Sequence, residues 1–225
     1  MGRLAYTSFF LAAVAIAAFL TGLFAALQPA GARELLCSLP SSITPGEQTG
    51  WQPYPGLSVG KLFVATRQLE GPIFQQSVIL LINYDQTGTM GLIINRPSEM
   101  LLSKLFPKIK GLEKRKDTAF FGGPVQMDQM FLLISAKKQP SNSFKVLDGV
   151  YASIEIGTFK RLAVRPDAKF RLYVGYAGWA PGQLESELAK GSWYVRETDA
   201  GTVFGKSPEN LWPALIKKSG IEAQR

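Results

Sequence analysis

The sequence predicts an α+β protein organised around one sheet. Three observations lead there: many short β-branched and aromatic runs, turn residues between them, and only two segments with clear helix punctuation. At 225 residues the chain has room for one domain of ordinary size plus a leader. Hydrophobic residues make up 46% and charged residues 19%, which places the body among packed proteins and away from disordered ones.

The elements follow in order. Residues 33–59 carry Pro40, Pro45, Pro53 and Pro55 among Ser, Thr and Gly, as an extended linker does, with Trp51 and Tyr54 interrupting its polarity. The domain is expected over 60–220. Residues 61–66 (KLFVAT) and 77–84 (SVILLINY) read as strands, the second apolar enough for burial on both faces and a central place in the sheet. Asp85, Gln86, Thr87 and Gly88 supply turn chemistry before a strand at 90–95, so these two strands read as a hairpin. Ser98 suits the N-cap of a short helix reaching about Phe106, stopped by Pro107.

The charge-dense stretch from Lys108 to Asp117 reads as an exposed loop. Further strands are expected at 119–121, 130–135, 150–153, 170–176, 193–196 and 202–204. Two helices close the list. One starts at Pro181 and ends at Gly191, with Leu184 and Leu188 on one face; the other is capped by Ser207, with Pro208 and Glu209 in its first turn and Lys217 and Lys218 near its end.

Ahead of all this, residues 9–27 (FFLAAVAIAAFLTGLFAAL) form a charge-free apolar run behind Arg3, followed by Pro29 and the small-residue pattern Ala30, Gly31, Ala32. These are the parts of a signal peptide cut after Ala32, yet the run is also long enough to stay as a transmembrane anchor. Either outcome places residues 33 onward outside the cytoplasm, as a periplasmic or inner-membrane-anchored domain, because the basic amino terminus stays inside. Bulky Leu36 before Cys37 argues against a lipoprotein attachment site.

Lys and Arg total 25 against 17 Asp and Glu, and loss of the leader removes only Arg3, leaving an excess of +7. Anionic partners are therefore accessible through long-range attraction, although a basic solvated surface alone accounts for the same number. The chain has no histidine and one cysteine, which removes Ser-His-Asp and Cys-His catalysis, His-bearing zinc sites and an intrachain disulfide. No cofactor or metal site is expected. Any enzymatic chemistry would have to use carboxylates, Lys, Tyr or backbone dipoles.

Three long motifs resemble the YqgE/AlgH family. Residues 60–97, GKLFVATRQLEGPIFQQSVILLINYDQTGTMGLIINRP, are similar to its opening strand, hairpin and Asn-basic-Pro ending; residues 120–133, FFGGPVQMDQMFLL, to its Gly-Gly-Pro signature; residues 174–194, VGYAGWAPGQLESELAKGSWY, to its Gly-Tyr motif and following aromatic strand. The resemblance spans residues 60–212. It implies a mixed, largely antiparallel sheet rolled toward a half-barrel with a few packed helices, and it implies no assigned activity. One branch of the family carries a regulatory label for exopolysaccharide synthesis, but no helix-turn-helix is legible here, so specific DNA binding is not expected. Two departures stand out: Tyr84 where relatives commonly have His, and the apolar leader that most relatives lack.

Binding candidates are Asn95, Arg96, Gly122, Gly123, Tyr176, Trp179, Gln183 and Glu187. Asn95 and Arg96 emerge at a strand end, where ligands gather, or simply satisfy a turn. Gly122 and Gly123 could offer backbone N–H groups to an anion, or form a tight turn that only glycine allows. Gln183 and Glu187 share a helix face while Glu185 points elsewhere, and Trp179 and Trp193 read as core anchors. No residue is assigned a catalytic role.

Three functions remain open on this reading. The first is a non-enzymatic binding or regulatory domain that uses a surface of Asn95, Arg96 and the segment from Tyr176 to Glu187 to contact an unknown protein or anionic small ligand, with membrane contact through an uncleaved leader. The second is a carboxylate-dependent hydrolase of an envelope polymer using Glu187 or Glu185. The third is sequence-independent polyanion binding through Lys108 to Lys116 and the group Lys160, Arg161, Arg165, Lys169 and Arg171.

Overall fold

A computed structural model describes residues 52–205 and 207–222; the leader, Cys37 and the linker through residue 51 lie outside the described residues. Ten strands follow one another: β1 (Leu62–Ala65), β2 (Val78–Asp85), β3 (Gly88–Ile93), β4 (Pro97–Leu101), β5 (Thr118–Phe121), β6 (Val125–Ser135), β7 (Phe144–Leu147), β8 (Val150–Ser153), β9 (Lys169–Trp179) and β10 (Trp193–Arg196). Among the described residues five helices accompany them: α1 (Leu102–Leu105), α2 (Ile156–Ala163), α3 (Gln183–Ala189), α4 (Ala200–Val203) and α5 (Leu211–Glu222).

The main path through the sheet runs β10-β1-β2-β3-β9-β6-β8-β7, with β4 paired to β5 and β5 to β9. Every pairing is antiparallel except β5 with β9. The sheet is open, with β10 and β7 ending that path. This is the α+β architecture that the strand and helix content predicts.

Strand β2 shows why its apolar run is continuous. Val78, Leu80 and Ile82 enter one hydrophobic cluster, while Ile79 and Leu81 enter another on the opposite face. Each such fully buried aliphatic side chain contributes about 1.5–3 kcal/mol. At the hairpin, Asp85 Oδ1 accepts from the Thr87 N–H at 2.8 Å and fixes the turn.

Strand β9 serves three clusters. Phe170, Leu172 and Val174 pack toward α2, Tyr173 packs on the other face, and simple alternation would then place Ala177 and Trp179 with Tyr173. Instead Tyr176 joins Tyr173's cluster, and Ala177 and Trp179 pack with Phe63 and Leu184. The phase slips at Gly175, whose φ of 68° is the left-handed conformation glycine adopts without steric cost.

Several expectations need correction. The helix expected from Ser98 is mostly strand β4: Pro97 pairs with Phe120 and Leu101 with Thr118, and the Ser98 hydroxyl donates to the Ala119 carbonyl at 2.8 Å instead of capping. Sheet pairing satisfies the backbone that a helix would have used. The strand expected at 202–204 is helix α4 and its end, because the Asp199 carboxylate accepts from the Thr202 N–H at 2.7 Å as an N-cap. Ser207 makes no capping hydrogen bond; a 3-10 turn, Pro208–Asn210, leads into α5. Helix α3 begins at Gln183, after Gly182 at φ 78°, rather than at Pro181. Strand β7 and helix α2 were not anticipated, and the loop from 108 to 117 holds a 3-10 turn, Leu112–Lys114, with Ile109 and Leu112 buried.

Candidate functional site

Helix α3 carries the motif residues toward two neighbouring strands. Leu184 is fully buried and sets the inward face. One turn on, Glu187 Oε2 accepts from Trp179 Nε1 at 3.0 Å and from Trp193 Nε1 at 2.8 Å. Its other oxygen accepts from Gln183 Nε2 at 3.1 Å, while Gln183 Oε1 accepts from the Ala180 N–H at 3.1 Å. The two indoles meet edge to face, with centroids 6.2 Å apart. Helix α3 is thereby fastened to the end of β9 and the start of β10 through one carboxylate. Both tryptophans are buried, as core anchors should be.

Glu185 lies on a different side of the same helix. The Tyr84 hydroxyl donates to Glu185 Oε1 at 2.7 Å and accepts from the Tyr54 N–H at 2.9 Å. Burial raises the Tyr84 phenol above its ordinary value; the Tyr54 N–H opposes that shift, and the Glu185 hydrogen bond and charge add to it. Glu185 Oε2 is buried without a hydrogen-bond partner among the described residues. Tyr84 thus joins the incoming chain at Tyr54 to α3.

The remaining candidates lie elsewhere. Asn95 is 8% exposed; its Oδ1 accepts from the Val78 N–H at 2.8 Å and its Nδ2 donates to the Gln76 carbonyl at 2.9 Å. Arg96 donates to the Gln75 carbonyl at 2.6 Å. Together they hold the turn before β2, where Gln76 has a φ of 56°. The Gly122 N–H donates to the Val174 carbonyl and its carbonyl accepts from the Ile93 N–H, each at 2.9 Å. A Cβ on Gly122 would stand 2.2 Å from the Gly175 carbonyl oxygen, and one on Gly123 2.1 Å from the Tyr176 carbonyl carbon. Two chain segments therefore touch backbone to backbone there. Tyr176 packs against Phe131, with ring centroids 5.7 Å apart, on the face opposite Trp179.

The structure thus brings Trp179, Gln183 and Glu187 together. It places Asn95 and Arg96 near Gly122 and Gly123 through the Arg96 carbonyl's bond to Phe121 and the Gly122 carbonyl's bond to Ile93, and it sets Tyr176 on the other face. The eight do not share one face. Among the described residues, no three acidic or cysteine side chains come together as a metal-binding group, and no helix is long and apolar enough to cross a membrane.

Sequence reasoning missed an open cleft of about 660 Å³, lined by Tyr54, Leu57, Leu188, Val195, Leu215 and the charged pair Lys61 and Glu197, among others. Lys61, just before β1, and Glu197, just after β10, form an ion pair at the edge of the sheet. Its walls come from residues far apart in the chain, so no local pattern announced it.

The AlgH-like family model matches residues 62–224. A UPF0301 protein of Myxococcus xanthus is 34% identical over 164 residues, covering 72% of this chain and 90% of that protein. One from Streptomyces avermitilis is 33% identical over 169 residues, covering 72% and 87%. The solution structure of AlgH from Pseudomonas aeruginosa superposes with a TM-score of 0.60 at 28% identity, covering 76% of this chain and 93% of that one. A Corynebacterium diphtheriae protein superposes with a TM-score of 0.62 at 21% identity, covering 76% and 90%, a likeness of fold alone. With the model spanning the whole described sheet and relatives above 30% identity almost filled by the match, this chain belongs to the AlgH-like family.

Proposed function

We propose that the chain is a non-enzymatic binding domain, carried out of the cytoplasm by its apolar amino-terminal run and using the cleft beside β10 to engage a protein segment. The observation that carries this reading is the engagement of Glu187. Both its oxygens accept hydrogen bonds from fixed donors, three in all, so the carboxylate acts as a structural clamp. A glycosidase-like hydrolase needs two carboxyl groups facing each other across a substrate. Glu185 and Glu187 instead reach partners on different sides of α3. The cleft, by contrast, combines apolar walls at Leu57, Leu188 and Val195 with a charged pair at its rim, a mixture suited to a peptide's alternating side chains.

Export is supported by the sequence pattern, and the family match begins only at residue 62, downstream of the leader and linker. The test is labelling of Thr87→Cys, made in a Cys37→Ser chain, with a membrane-impermeant maleimide on whole cells before any periplasm is released. Thr87 is exposed at the β2–β3 turn. Labelling without lysis is the expected result; labelling only after lysis would refute the location.

A further inference from the structure

Two basic segments that are far apart in sequence meet on one surface. Arg115 donates to the carbonyls of Arg165 and Ala168, each at 2.9 Å, and stacks over Phe170 at 4.6 Å. A Cβ on Gly111 would lie 2.7 Å from the Val164 Cα, and Ile109 and Leu112 share a buried cluster with Phe159 and Leu162 of α2. The 108–117 loop therefore lies directly against α2. Residues 108–117 hold five cations against two acids, and residues 154–167 three against two. Lys108, Lys110, Lys114, Lys116 and Lys160 are all exposed.

The outward face of α2 is not purely polar. Ile156, Lys160 and Val164 fall four residues apart on one side of the helix, and Ile156 is 42% and Val164 55% exposed, with Ile154 beside them at 53%. Large aliphatic side chains set among lysines and arginines are what an interfacial surface presents: the cations reach lipid phosphates while the aliphatic groups enter the headgroup boundary.

We infer that this face, α2 with the 108–117 loop, docks on an anionic phospholipid surface. A soluble polyanion would satisfy the cations but would leave the exposed isoleucines and valine without an apolar environment, so the lipid surface accounts for both features. Lys169 and Arg171, grouped with these cations by sequence, take no part: Lys169 lies over the Phe204 ring at 5.5 Å, and Arg171 donates to the carbonyls of Val203 and Gly205. The inference is independent of the cleft and of which side of the membrane the domain occupies.

The experiment uses the full chain with Cys37→Ser, reconstituted into vesicles, carrying an environment-sensitive dye at Val164→Cys or, as a control at the far hairpin, Gln86→Cys. Vesicles are either phosphatidylcholine or equal parts phosphatidylcholine and phosphatidylglycerol, each with brominated acyl chains as quencher. The dye at position 164 should be quenched in the phosphatidylglycerol vesicles and not in phosphatidylcholine, while the dye at 86 should be unquenched in both. Lys114→Gln with Lys160→Gln, both on the surface, should lower the ratio of docked to undocked domain about 25-fold, at roughly fivefold per cation. Equal quenching at 164 and 86 with phosphatidylglycerol present would overturn the inference. So would heparin binding that the two Gln substitutions abolish while the dye at 164 stays unquenched, which would assign the face to a polymer.

Discussion

Trp193 Nε1 reaches Glu187 Oε2 at 2.8 Å, the same oxygen that Trp179 reaches at 3.0 Å, so two strands and a helix converge on one atom. Hydrogen bonds to a charged acceptor contribute roughly 1.5–3 kcal/mol each, less here because Glu187 is partly exposed. Glu187→Ala leaves two indole N–H groups without their acceptor and should cost about 2–3 kcal/mol. Glu187→Gln keeps an acceptor oxygen and should cost about half as much. Urea denaturation followed by tryptophan fluorescence measures both; a Glu187→Ala chain as stable as the parent would show that the clamp holds nothing.

The glycine pair predicts a harsher outcome. Gly123→Ala forces a Cβ to within 2.1 Å of the Tyr176 backbone at a φ of 153°. Backbone cannot swing aside as a flexible side chain can, so the loss should be about 3 kcal/mol or more. Gly191→Ala is the comparison: its φ is 73° but nothing lies within 4 Å of the added atom, so the cost should be about 1 kcal/mol. Denaturation midpoints for the two variants should differ clearly.

Asn95→Ala removes an acceptor from the Val78 N–H and a donor to the Gln76 carbonyl in a buried place. The expected loss is about 2–3 kcal/mol, with faster amide hydrogen exchange at Val78 than in the parent. Unchanged exchange there would contradict the assigned role.

Alkaline stability depends on Tyr173. Its hydroxyl is buried and, among the described residues, makes no hydrogen bond of proper geometry, and burial pushes its pKa up to about 12, against a smaller opposing influence from Arg171. With the folded value above the unfolded one, the contribution to stability is fully present below about pH 10 and is lost as pH rises from there toward 12. Tyr173→Phe should leave stability near neutral pH unchanged or slightly higher, because no hydrogen bond is removed. It should also reduce the steepness of destabilisation above pH 10, read from denaturation midpoints across the alkaline range.

Much of the sheet was legible because local chemistry and tertiary context agree there. Strands β8 and β10 start and stop where their aromatic and β-branched residues do, and β2 has the double-sided apolar run of a central strand. The failures fall where a distant partner decides. Ser98 looks like a helix cap until β5 arrives to pair with it, and Thr202 looks like a strand residue until Asp199 caps its N–H. Helix α2 contains Gly157 and Thr158, weak helix formers, and is held by burial of Phe159 and Leu162. In the site, the shared face of Gln183 and Glu187 was readable from their spacing, but the convergence of two indoles on one oxygen was not. Nor was the cleft, which exists only once residues 54–57 meet 195–197.

We propose this cleft as the place where the domain meets its partner. Its most direct measurement is photo-crosslinking in living cells with a benzophenone amino acid in place of Tyr54, a cleft-lining ring close in shape to the probe, against the same probe in place of exposed Gln86. A discrete adduct from position 54, absent at 86 and weakened when Leu188→Arg fills the cleft, is the predicted result. Equal adducts from both positions, or none from 54 in a folded and abundant protein, would contradict the claim.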